Sequence, residues 1–67
     1  MRVNHSMIRQ RRIELKLKQK DLAVLVKLNT SMICLNETGK SPVPIENVAM
    51  YARALQLPEQ SLVIFEN

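Results

Sequence analysis

The stretch Gln19–Gly39, QKDLAVLVKLNTSMICLNETG, constrains this chain more than any other. Leu22, Ala23 and Val26 fall at i, i+1 and i+4, one stripe of a 3.6-residue period, which predicts a helix over Gln19–Val26. Lys27-Leu28-Asn29 reads as a turn. Asn29 is a residue type that caps a helix N-terminus, and a second helix is predicted over Thr30–Thr38. Gly39 closes it, where a left-handed residue is cheapest. Two short helices joined by about three residues make a helix-turn-helix.

The flanks supply the helices that such a pair packs against. Residues 1–5 read as a short, poorly ordered arm, with His5 solvated and without a partner. Ser6 would cap a first helix from Met7 to Leu15 or Lys16. Its apolar stripe is Ile8 and Leu15, and the residue between them on that face is Arg12. A guanidinium on a core-facing stripe needs a buried partner. Only Glu14, Asp21 and Glu37 precede residue 41 as acids. Glu14 lies two residues from Arg12 and points elsewhere. Asp21 begins the next helix, where it can stay exposed. Glu37 lies four residues after Ile33 and shares its inward face, so an Arg12–Glu37 ion pair is expected between the first helix and the third. Losing either partner would strand a buried charge at a cost of ~3–5 kcal/mol.

Leu17 would pack beneath the link to the second helix. Beyond Gly39, Lys40-Ser41-Pro42-Val43-Pro44 is a stiff loop. Pro44 marks the start of a fourth helix, Ile45–Leu55, with Ile45, Val48, Ala52 and Leu55 inward and Tyr51 at the edge of that face. Pro58 would open a short fifth helix, Pro58–Val63, with Leu62 inward. No convincing strand alternation is present. The expectation is an all-α, compact five-helix domain occupying residues 1–67.

Composition narrows the function classes. A single cysteine excludes an internal disulfide and suits a reducing cytoplasm, bacterial or that of a phage-carrying host. His5 and Cys34 alone cannot build a metal site, and no cofactor motif appears. No apolar run of about 18 residues suggests a membrane span, and the N-terminus lacks a signal peptide's apolar region. No carboxylate pair, Ser/His/Asp set or Gly-rich loop suggests an enzyme. Residues 1–40 hold nine Lys/Arg and three Asp/Glu, a balance of 9 − 3 = +6; residues 41–67 hold one Arg and three Glu, 1 − 3 = −2. A basic part coinciding with a helix-turn-helix is the charge footprint of a phosphate-binding face.

The chain resembles the Cro and lambda-repressor-like helix-turn-helix family, the XRE group of phage and bacterial regulators, from Ile8 to Leu62. The matching residues are the Arg12–Leu15–Leu17 run, Gln19, Leu22-Ala23, Ile33, Glu37-x-Gly39-Lys40 and Ala52-x-Ala54-Leu55. The resemblance implies a five-helix domain that binds operator DNA, usually as a dimer, and an ion pair like Arg12–Glu37 recurs in the family. Three positions depart from the pattern. Lys27 stands for the turn glycine and needs a left-handed lysine, at roughly 1 kcal/mol, or a shifted turn. Lys16 stands for the glycine after the first helix. Asn36 replaces an apolar residue, with three outlets open to it: capping, bonding the following loop, or solvent.

With Ile33 and Glu37 inward, Asn29, Thr30, Ser31, Cys34 and Leu35 would face base edges. No Arg, Lys, Gln or Glu lies on this face, so bidentate guanine and adenine pairs are unavailable. Thr30 and Ser31 offer single hydrogen bonds, and Leu35, with Met32, offers thymine-methyl contact. A·T-containing half-sites and readout of DNA shape are expected. Phosphate contacts are expected from Lys18 and Gln19 at a helix N-terminus, from Thr38, the Gly39 amide and Lys40, and from Arg11; Arg9, Lys20 and Lys27 add to the field. Cys34 reads as a small, soft groove residue rather than a redox sensor. Two half-sites require a homodimer, with Gln56–Pro58, the fifth helix and the apolar tail Val63, Ile64 and Phe65 (within 63–67) as candidate contacts. The leading function is a Cro-like or controller-type repressor; the alternative is an antitoxin that binds a toxin protein and autoregulates. A protein partner, toxin or antirepressor, would use the Met32–Leu35 patch.

Overall fold

The structure is a computed structural model and describes residues 2–64. The order is β1 (Arg2–Val3), α1 (His5–Glu14), α2 (Gln19–Val26), α3 (Thr30–Thr38), α4 (Ile45–Leu55), a 3-10 turn (Glu59–Leu62) and β2 (Val63–Ile64). α2, α3 and α4 have the bounds that periodicity and capping predict.

The termini differ from expectation. Arg2–Val3 is no free arm: it pairs antiparallel with β2, Arg2 opposite Ile64 and Val3 opposite Val63. Asn4, not Ser6, caps α1, its Oδ1 accepting from the Met7 amide at 3.4 Å, while its own amide donates to the Leu62 carbonyl at 2.7 Å. The ribbon pins Asn4, so the helix starts at His5. The fifth helix is a single 3-10 turn, because by Val63, five residues after Pro58, the backbone is already extended into β2.

Three helices end on a left-handed residue that is not glycine: Lys16, Lys27 and Gln56, with φ of 59°, 59° and 58°. Each is followed by a leucine whose amide reaches back to close the helix end: Leu17 to the Arg12 carbonyl at 3.1 Å, Leu28 to Ala23 at 2.9 Å, Leu57 to Ala52 at 2.9 Å. Each left-handed residue costs roughly 1–2 kcal/mol. The satisfied carbonyls and the part-buried leucines offset that cost. The turn between α2 and α3 therefore keeps its geometry with Lys27 in place of glycine.

The core is Ile8 from α1, Leu22, Ala23 and Val26 from α2, Ile33 from α3, Val43 from the loop, Val48, Tyr51, Ala52 and Leu55 from α4, and Leu62. Tyr51 is wholly buried rather than at an edge, and Ile45 is 52% exposed rather than inward. Val48, Tyr51, Ala52 and Leu55 form a complete i, i+3, i+4, i+7 face, which leaves the first residue of α4 overhanging the core.

Candidate nucleic-acid interface

α3 divides cleanly into two faces. Ile33, Asn36 and Glu37 are buried, while Thr30, Ser31, Cys34, Leu35 and Thr38 are exposed. Asn29 caps the helix, its Oδ1 accepting from the Met32 amide at 2.7 Å, which leaves both amide hydrogens and one Oδ1 lone pair for a ligand. Met32 is part-buried, with its sulfur 3.7 Å from Asn36 Nδ2, and does not stand beside Leu35 on the open face.

Polar contacts hold the inner face. Arg12 Nε donates to Glu37 Oε2 at 2.6 Å and Nη2 to Glu37 Oε1 at 3.1 Å, a bidentate pair whose side chains are 11% and 1% exposed. Arg12 Nη1 also donates to the Leu17 carbonyl at 2.8 Å, so the guanidinium ties α1, α3 and the link before α2. Asn36 takes the loop-bonding outlet, and more: Nδ2 donates to the Ser41 carbonyl at 3.1 Å, and Oδ1 accepts from the Tyr51 hydroxyl at 2.7 Å. Tyr51 is pushed up from 10.0 to about 12, chiefly by burial and then by the Glu37 charge. Sequence reasoning missed Tyr51 in this network. The signal was an Asn at an apolar position, which demands a buried polar partner.

The expected phosphate-contacting residues are not all equally free. Lys18 and Lys40 are exposed. Gln19 is part-buried and its Nε2 donates to Glu37 Oε1 at 3.3 Å, leaving one amide hydrogen for a phosphate. Asp21 accepts from the Lys18 amide at 2.9 Å, placing a carboxylate at the α2 N-terminus. Thr38 Oγ1 donates to the carbonyls of Cys34 at 3.0 Å and Leu35 at 3.2 Å, so the hydroxyl must rotate before it can donate to an anion. Arg11 turns to α4, with Nε on the Leu55 carbonyl at 3.0 Å and Nη1 on Glu14 at 3.2 Å. It reads as a tie between helices. Val63 and Ile64 are part-buried in the ribbon, and Phe65 lies outside the described residues.

Solved structures share this fold. The restriction-modification controller protein C.AhdI from Aeromonas hydrophila superposes with a TM-score of 0.82 at 29% identity, over 88% of this chain and 86% of its own. The P22 c2 repressor, solved in complex with a synthetic operator, gives 0.83 at 27% identity, over 94% and 96%. The chain is similar in sequence and fold to lambda-repressor-like helix-turn-helix proteins. The clp gene regulator ClgR from C. glutamicum shares the fold at 19% identity and a TM-score of 0.79, over 85% of this chain and 74% of its own. No protein-family profile and no curated protein matches the sequence. In this helix-turn-helix protein α3 is the second helix of the motif. Among the described residues no helix is long and apolar enough to cross a membrane.

Proposed function

We propose that the chain is a sequence-specific, double-stranded DNA-binding transcriptional regulator, a Cro-like or controller-type repressor that lays α3 in the major groove. The observation that carries this reading is the two-faced α3. Its small polar side chains point outward while Arg12 and Glu37 hold the inner face against α1. Asn29, Thr30, Ser31, Cys34 and Leu35 read bases. Lys18, Gln19 and Lys40 bind phosphates, while the Gly39 amide is taken by the Asn36 carbonyl at 3.4 Å. The protein acts in the cytoplasm by occupying an operator, with no chemical step.

It binds as a homodimer, because one such unit reads one half-site and specific sites pair two about 34 Å apart. The tail supplies the contact: β2 pairs with β1 on one edge and is unpaired on the other among the described residues. An open strand edge accepts another strand. A Phe65→Ser variant should sediment as a monomer, and an unchanged dimer overturns the tail assignment.

The function is tested by selection from duplexes with randomised half-sites, followed by footprinting and a salt titration. Two A·T-containing half-sites one helical turn apart are expected, with log K falling steeply and linearly against log salt. A consensus built on invariant guanines overturns the base-reading assignment. Failure to retain any duplex at low salt overturns the regulator.

A further inference from the structure

The carbonyls at the end of α3 are satisfied in two different ways. The last four of a helix have no intrahelical partner. The following chain serves two of them: the Ser41 amide donates to Leu35 at 3.2 Å and the Gly39 amide to Asn36 at 3.4 Å. The Glu37 carbonyl is served from a different helix. His5, the first residue of α1, places Nδ1 at 3.1 Å from it. A carbonyl only accepts, so that ring nitrogen carries the proton. The imidazole also lies across Gly39, where a Cβ would stand 2.7 Å from Nε2 and 2.9 Å from Cδ2. Glycine suits this position twice, for its φ of +79° and for the room that it leaves the ring. His5 in turn follows Asn4, whose amide is bonded to the Leu62 carbonyl at the foot of the terminal ribbon. A chain of contacts thus runs from the ribbon through Asn4 and His5 to the Glu37 carbonyl and Gly39, the residue before Lys40.

We propose that His5 is a positioning residue for DNA binding: it clamps the α3 C-terminus so that Lys40 is held in place for one phosphate. The clamp itself is a property of the free protein, while its use on DNA rests on the regulator reading above. A donor at a helix C-terminus opposes the partial negative charge there, and a pre-oriented backbone loses less freedom on binding. His5 is exposed and is not a member of the core cluster, so its loss should loosen one segment.

The test compares the wild type with His5→Ala, His5→Gln, Lys40→Ala and the His5→Ala/Lys40→Ala double variant. In the free protein, amide hydrogen exchange at Gly39 and Ser41 should quicken at least tenfold in His5→Ala, with Leu22 and Ile33 unchanged; His5→Gln, which keeps a donor, should recover part of the protection. Unchanged exchange at Gly39 and Ser41 overturns the clamp. Equal quickening at all four sites shows a general loss of stability and overturns it as well. On DNA, fluorescence anisotropy with a labelled 30-base-pair duplex of mixed sequence is read across a salt series. His5→Ala should lower the salt slope by about 1, as loss of one phosphate contact does. The double variant should be no worse than Lys40→Ala. Additive losses would show that His5 does not act through Lys40. If the wild type ignores the duplex at low salt while exchange responds as expected, the clamp stands as a structural contact and the DNA role falls with the regulator reading.

Discussion

α2 and α3 are of similar length and adjacent in the chain, yet they face the interior with opposite chemistry. α2 buries Leu22, Ala23 and Val26, all apolar. α3 buries Ile33 with Asn36 and Glu37, and its inner face is bonded to Arg12, Gln19, Tyr51 and the Ser41 carbonyl. Apolar burial is roughly proportional to area and carries no direction. Hydrogen bonds and bidentate ion pairs prescribe angles. The body of α2, which supports its neighbour, is held by area. The helix proposed to read DNA is held by geometry, which fixes which residues point outward.

The largest effect that would sharpen this contrast is expected at Glu37. Glu37→Gln leaves the Arg12 guanidinium buried without a counter-charge and should cost ~3–5 kcal/mol. For a domain of this size that lowers Tm by at least about 12 °C. Replacing both partners, Arg12→Met with Glu37→Met, should recover most of the stability while degrading DNA affinity. Thermal melts and duplex binding on the same samples check this. If the double variant binds DNA as tightly as the wild type, the contrast between area and geometry fails.

Tyr51→Phe comes next. It strands Asn36 Oδ1 in the interior and should cost ~1–3 kcal/mol. It should also alter the alkaline limb of stability. Tyr51 titrates near 12 in the folded chain against 10.0 ordinarily. A folded value above the unfolded one means that the phenol's contribution is whole below pH 10 and drains away as pH rises from 10 toward 12. Denaturant midpoints measured from pH 8 upward should fall less steeply in Tyr51→Phe than in the wild type. Parallel curves would contradict the buried assignment.

On α2 the expected penalties are smaller. Leu22→Met keeps volume and apolarity and should cost less than about 1.5 kcal/mol, with DNA affinity unchanged. A loss as large as that of Glu37→Gln would break the comparison from its other side. Lys27→Gly is the smallest: it relieves left-handed strain while freeing the unfolded chain, for a net gain of at most about 1 kcal/mol in Tm-derived stability.

Much of this arrangement is legible in the residues. The periodicity of α2 and α4 and the Asn29 cap yield three helices with the bounds observed. Arg12 on an apolar stripe, with few acids to choose from, points to Glu37. What was not legible has one origin: groups distant in sequence. Val3 and Val63 are too short a pair to show alternation, so the ribbon is invisible until the ends meet. His5 looks unpartnered because its acceptor is a backbone carbonyl 32 residues away. Arg11 looks like one more surface cation because its acceptor is the Leu55 carbonyl. Tyr51 and Asn36 each look marginal until the other is found.

The amino-acid order by itself determined where α2, α3 and α4 start and end, which stripe α2 buries and that a helix-turn-helix sits at the centre, because periods and caps act within a few residues. Only the folded chain decided how the polar residues are divided between holding and reaching. That division depends on which carbonyl or carboxylate lies within about 3 Å of each donor, and no local rule sets such distances.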